Sequence, residues 1–206
     1  MRIQVLPGSE AELNHYRAAA RYSDKTVERT ALPPGVTASP QDDLVFRGGK
    51  VLPQMGFQNV YLGRPADFGP GDVESIDDAI TRLMHDERLK DIIQQYFPGK
   101  TLSYDVAESV ILNESRPNQI SEADVQDKII DLFDSNLILG TDHDRTCFNL
   151  VLPPGTILTL DDSSSLEGLG GYHGSVHFRR LGQNRTLYYS ANVYSEDRGS
   201  GRNGIP

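Results

Sequence analysis

Hydrophobic and polar positions divide the chain into a quiet front and a patterned remainder. Ser9-Glu10-Ala11-Glu12 has the spacing of a capping box, and Leu13 to Arg21 reads as a short helix with a mostly alanine face. From Ser23 to Asp43 the chain is polar, with Pro33-Pro34-Gly35 and Pro40 inside it, the signature of a linker or mobile arm. Residues 1–43 are therefore expected to form an N-terminal arm, and the compact domain to begin near Leu44 and run to Tyr194.

Within that domain the apolar period alternates between two and 3.6 residues. Phe57 to Leu62 reads as a strand that ends at Gly63. Ile76, Ile80, Leu83, Met84, Ile92, Ile93 and Tyr96 recur at helical spacing, which predicts one long helix from Ile76 to Phe97, capped by Asp72 or Ser75 and stopped by Pro98-Gly99. Thr101 to Val106 reads as a short extended piece, and Val110 to Leu112 fits either period. A second helix is predicted over Glu122 to Asp134, with Ser121 as its cap and Val125, Ile129, Leu132 and Phe133 as its buried stripe. Strands follow over Cys147 to Leu152, Thr156 to Leu160, Ser175 to Arg179 and Leu187 to Tyr194, with turns at Pro153-Pro154-Gly155 and Gly182-Gln183-Asn184. This order predicts an α/β fold: a mixed sheet, two main helices and a strand cluster closing the C-terminal end. Residues 195–206 are glycine-rich and read as a flexible tail, with a truncation point as one expectation for the abrupt stop after a long strand.

Composition narrows the functional classes. The net charge is -9 over 206 residues, so there is no basic stripe for phosphate backbones, and nucleic acid is not an expected partner. The single cysteine, Cys147, excludes an intrachain disulfide and a cysteine-built zinc site; its apolar neighbours point to a buried strand thiol. Met1 to Leu6 carries one positive charge and its apolar run stops at Pro7, so it is no signal peptide. No stretch reaches the length of a membrane span. The default location is cytoplasmic, unless the chain is given without a targeting segment.

Candidate chemistry concentrates at Gly168-Leu169-Gly170-Gly171-Tyr172-His173-Gly174-Ser175. Glycines let a backbone approach a ligand, and a histidine among them can serve as a base or metal ligand. Gly171, Tyr172, His173, Gly174 and His177 are the ligand-lining candidates, with His173 the candidate metal ligand. His173 and His177 are four residues apart, but on an extended strand that spacing is roughly 13 Å, too far for one ion. The loop Gly63 to Gly71 follows a strand but lacks a Gly-Lys-Ser/Thr ending, so a plain strand-to-helix connection is favoured over a phosphate loop. Asp142, Asp144, Asp161 and Asp162 read as turn formers, and Ser175 has no nucleophile elbow around it.

Three segments together carry a resemblance: Gly48-Gly49-Lys50-Val51-Leu52 leading to Asn59-Val60-Tyr61-Leu62-Gly63; Asn149-Leu150-Val151-Leu152-Pro153-Pro154-Gly155; and Gly171-Tyr172-His173-Gly174. In that order they resemble the EXORDIUM-like (phosphate-induced protein) family of plants and its microbial relatives, over about Leu44 to Tyr194. The plant members are secreted and linked to growth. Some microbial relatives continue into a helix bearing a His-Glu pair, which looks like a zinc-hydrolase helix. The resemblance implies the N-terminal part of a zinc-dependent, peptidase-like hydrolase whose metal-binding helix is absent from this chain, zinc belonging to a longer form. The chain lacks the plant cysteines around the Gly-Tyr-His turn. The alternative is a non-catalytic binding module for a glycan, peptide or protein partner, which nine tyrosines and a glycine-rich loop suit equally.

Overall fold

The computed structural model describes residues 50–138 and 142–194. The arm and short helix expected before Lys50, and the tail after Tyr194, lie outside the described residues. The elements are β1 (Gln54–Tyr61), α1 (Asp72–Met84), α2 (Glu87–Gln94), β2 (Ser103–Ile111), β3 (Gln119–Ser121), α3 (Glu122–Asp134), β4 (Thr146–Val151), β5 (Ile157–Leu160), β6 (Ser163–Ser164), β7 (Gly171–Arg180) and β8 (Gln183–Asn192). The fold is α/β with mixed sheets.

The main sheet has the order β2-β1-β4-β8-β7. The first four strands are parallel, and β7 returns antiparallel beside β8. The chain leaves β1 toward β2 through α1 and α2, then returns through α3 to β4 on the other side of β1. The two crossovers use opposite faces. Val125, Ile129 and Leu132 of α3 join Val60, Phe148, Leu150, Leu187 and Tyr189 in the larger core. Tyr61, Phe68 and Val151 form a smaller cluster on the opposite face, with Val73 and Ile76 of α1 against it. Both faces of β1 and β4 are thus covered, which is why these strands read as nearly continuous apolar runs.

Helix α3 spans the predicted residues. Its capping box is formed: Ser121 Oγ accepts from the Asp124 N–H, and the Asp124 carboxylate accepts from the Ser121 N–H at 2.8 Å. Three expectations are corrected. The long helix from Ile76 to Phe97 is two helices, Asp72–Met84 and Glu87–Gln94, so the described residues hold three α-helices rather than the two expected. Asp86 turns extended, and its carboxylate accepts from the Leu89 N–H at 2.9 Å, starting α2 afresh. The apolar period continues across this break, yet Leu83, Ile92 and Tyr96 are exposed, so it does not mark one continuous buried face. The strand expected over Thr156 to Leu160 does not join the main sheet. As β5 it forms a small sheet of order β3-β5-β6, whose Ile120 and Leu158 cap the larger core. Finally, the β7–β8 turn is Leu181-Gly182, both at positive φ (49° and 78°), and not Gly182 to Asn184. A two-residue loop of that hand matches the twist of the paired strands.

Candidate functional site

The glycine-rich stretch is mostly strand. Only residues 168–170 lie before β7, and Gly171, Tyr172, His173 and Gly174 pair in register with β8, opposite Asn192, Ala191, Ser190 and Tyr189. The expected His173-bearing loop is corrected to a strand because the partner strand satisfies its backbone, which the glycine count could not reveal. Gly171 is small for a packing reason: a Cβ there would meet the Ala191 carbonyl oxygen at 2.6 Å. At Gly174 a Cβ would meet the Tyr189 hydroxyl at 2.9 Å.

Strand alternation divides the five predicted residues. Tyr172 and Gly174 face α3. The Tyr172 ring stands edge-on to Tyr189 at 6.1 Å, and its hydroxyl is buried without a partner. Burial holds its ionisation well above the ordinary phenol range. Gly171, His173 and His177 face the opposite side, where α1 covers the β1–β2 half of the sheet. His173 is exposed. His177 is half-buried: its Nε2 lies 3.1 Å from Ser175 Oγ and its Nδ1 lies 2.9 Å from Thr186 Oγ1. The two histidines sit on one strand four residues apart, as the spacing argument required, and do not form one chelate. Among the described residues no group of three His, Cys, Asp or Glu side chains could hold a metal ion.

On this same face a row of polar side chains crosses the sheet. It begins at Asp77 of α1, whose Oδ1 accepts from Asn59 Nδ2 at 2.8 Å and from the Tyr61 hydroxyl at 2.7 Å. Its Oδ2 accepts from Ser109 Oγ at 2.6 Å. Ser109 reaches it because the β1–β2 register slips between Gln58 and Val60, so that Glu108 and Ser109 together oppose Asn59. Asn59 Oδ1 accepts from Asn149 Nδ2 at 3.0 Å, Asn149 Oδ1 accepts from Ser190 Oγ at 2.9 Å, and Ser190 Oγ accepts from Asn192 Nδ2 at 2.9 Å. His173 stands opposite Ser190 on β7 and ends the row. Burial and the adjacent carboxylate raise the Tyr61 ionisation above its ordinary range.

The sequence reading missed this row. Its signal was present: Asn59 and Asn149 each interrupt an apolar run, and β1–β4 pairing places them side by side. An amide inside a buried strand must find partners, but which partners depends on register.

The remaining candidates are structural. Cys147 is buried, and burial pushes its thiol up to about 12. In the Gly63–Gly71 loop, the Arg64 N–H donates to Asp67 at 2.8 Å and the Gly69 N–H to Asp72 at 2.7 Å. The loop's own carboxylates take donors that a phosphate would need. Asp142 Oδ1 accepts from the Asp144 N–H at 3.2 Å, a turn bond as expected. Among the described residues no helix is long and apolar enough to cross a membrane. Comparison with protein-family models, curated proteins and solved structures finds no match for this chain.

Proposed function

We propose that the chain is a non-catalytic binding module whose β4–β8–β7 face recognises a glycan. The observation that carries this is the cross-sheet row ending at the Asn192 amide and the exposed His173. Its members beyond Asp77 are neutral amides, hydroxyls and an imidazole, which offer both donors and acceptors. Such a surface suits a neutral polyhydroxylated ligand, and the sheet holds its side chains in fixed register, so little order is lost on binding. Calorimetric titration with neutral hexasaccharides of the cello, xylo and chito series tests this. Binding that His173→Ala weakens about tenfold, the equivalent of one hydrogen bond near 1.4 kcal/mol, supports it. No binding to any of the three discards the glycan reading.

A zinc-dependent hydrolase is the second reading. The observation favouring it is that His173 is exposed on that same face, next to the polar row, with no side-chain hydrogen bond among the described residues. The resemblance to the EXORDIUM-like family and its microbial relatives belongs to this reading. The other metal ligands would come from outside the described residues. Elemental analysis of the chain, and of a form extended to the natural stop codon, tests it. About one zinc per chain only in the longer form supports the hydrolase, and zinc in neither removes it.

A further inference from the structure

The β7–β8 hairpin runs past the start of the β4 ladder. Pairing of β8 with β4 begins at Tyr188 and Cys147, so Gln183 to Leu187 and the β7 residues opposite them form a two-stranded ribbon. Its apex is Leu181-Gly182. Both apex residues have positive φ, a hand that favours Asn-Gly, and the first of them is a leucine at 49°. That leucine is 98% exposed, more than any other large apolar side chain among the described residues. It therefore adds nothing to the core while it strains the turn. Backbone strain that serves no contact within the fold points to a contact outside it.

The residues around this apex are basic on an acidic chain. The net charge is -9, yet Arg179 to Arg185 contains three arginines and no acid. Strand alternation sets them on both sides of the ribbon. Arg180 and Arg185 lie on the α3 face, where Arg180 donates to Asp134 and Arg185 stands opposite Phe178. Arg179 lies on the other face, opposite Asn184. Arg185 donates to Gln183 Oε1 at 2.6 Å, and neither it nor Arg179 has a carboxylate partner among the described residues. Arginines on opposite faces share one partner only if that partner meets the ribbon end-on. A partner met end-on by an apolar apex ringed with guanidinium groups carries anionic groups outside and an apolar layer beneath. A bilayer containing anionic lipid has that order; a nucleic acid has the phosphates without the apolar layer behind them.

We propose that the tip of the β7–β8 hairpin docks end-on onto a membrane surface that contains anionic phospholipid. Leu181 enters the interface, and Arg179 and Arg185 donate charge-assisted hydrogen bonds to lipid phosphates. The acidic remainder of the chain is repelled by the same surface, which fixes the tip as the point of approach. Each arginine near such a surface tightens binding about fivefold, and burial of a leucine side chain adds about tenfold or more. The association is therefore reversible and weaker than one acyl chain gives. This inference rests on neither reading of function given above, since the apex lies roughly 26 Å along β7 from His173.

The test is co-sedimentation with vesicles of phosphatidylserine and phosphatidylcholine in equal parts, at low salt and millimolar lipid, against vesicles of phosphatidylcholine alone. The chain should partition onto the anionic vesicles only, and added salt should release it. Leu181→Asn keeps every charge and relaxes the turn, so it should fold at least as stably and yet bind about tenfold more weakly. Arg179→Gln combined with Arg185→Gln should weaken binding about 25-fold. Circular dichroism and thermal melts confirm that the variants fold. A chain that stays in the supernatant with anionic vesicles overturns the proposal. So does equal binding to phosphatidylcholine alone. Binding that Leu181→Asn leaves unchanged, and that soluble polyglutamate reproduces, also overturns it and assigns the arginines to an acidic protein instead.

Discussion

Asp77 pins α1 to the sheet, and its removal tests whether the polar row is structural at its covered end. Asp77→Ala withdraws the acceptor of Asn59, Tyr61 and Ser109, at 2.8, 2.7 and 2.6 Å. A hydrogen bond to a charged acceptor contributes about 1.5–3 kcal/mol, and a buried donor left unpaired costs about 1–3 kcal/mol. The three losses are unequal. The Tyr61 hydroxyl keeps the Val73 carbonyl at 3.2 Å, and half-buried Ser109 can turn to water. The amide of Asn59, a residue only 4% exposed, has no such alternative for the lost bond. Removing the carboxylate also ends its own desolvation, which offsets part of the loss. The expected destabilisation is about 3 kcal/mol, dominated by Asn59. In urea, with an m-value near ~2 kcal/mol/M, the midpoint falls by about 1.5 M. Asp77→Asn keeps one acceptor oxygen and should lose about half as much. Asp78→Ala, one position along, removes an exposed ion pair with Arg82 and should change stability by less than about 0.5 kcal/mol. A loss at Asp77→Ala no larger than at Asp78→Ala would refute the reasoning.

Two further outcomes follow from local geometry. Hydrogen bonds from the Ser121 hydroxyl and backbone N–H hold the Asp124 carboxyl below its ordinary range. A depressed folded-state value stabilises above the unfolded carboxylate range, near pH 4, and that contribution is lost as pH falls through the folded value; Ser121→Ala should cost about 1 kcal/mol in urea melts at pH 7 and flatten the acid slope below pH 4. Leu181 is 98% exposed at φ 49°, a left-handed position that costs a side chain of this kind roughly 1–2 kcal/mol, so Leu181→Asn, which makes the turn Asn-Gly, should raise the thermal midpoint, and an unchanged or lower midpoint would count against the turn assignment.

The elements were legible wherever local chemistry and burial agree. Helix α3 carries its cap, its box and its stripe in consecutive residues, so the sequence alone determined its limits. Strands β1 and β4 were visible because parallel strands covered on both faces are largely apolar, and β8 because its residues are good β-formers whose burial alternates. Cys147 read correctly as a buried thiol for the same reason. The failures share a cause. A break such as Asp86 is one dihedral choice inside an unbroken apolar period, made by a local cap that the period does not register. The glycine-rich stretch resembled a loop because glycine signals freedom, while here Gly171 and Gly174 are small to admit the Ala191 carbonyl and the Tyr189 hydroxyl.

The candidate site was less legible than the fold. Composition and spacing singled out His173 and set it apart from His177 on one extended strand, where the structure places both. They could not say that Tyr172 and Gly174 would turn to α3 while His173 faced Ser190. Nor could they join Asn59 to Asn149 or Asp77 to Ser109, pairs separated by 90 and 32 residues. What the sequence determined is the set of elements and the polar side chains they carry, because propensity, capping and period act over a few neighbours. Strand order, register and the bulge decided which of those side chains meet, because a one-residue slip in a period of two moves every side chain to the other face.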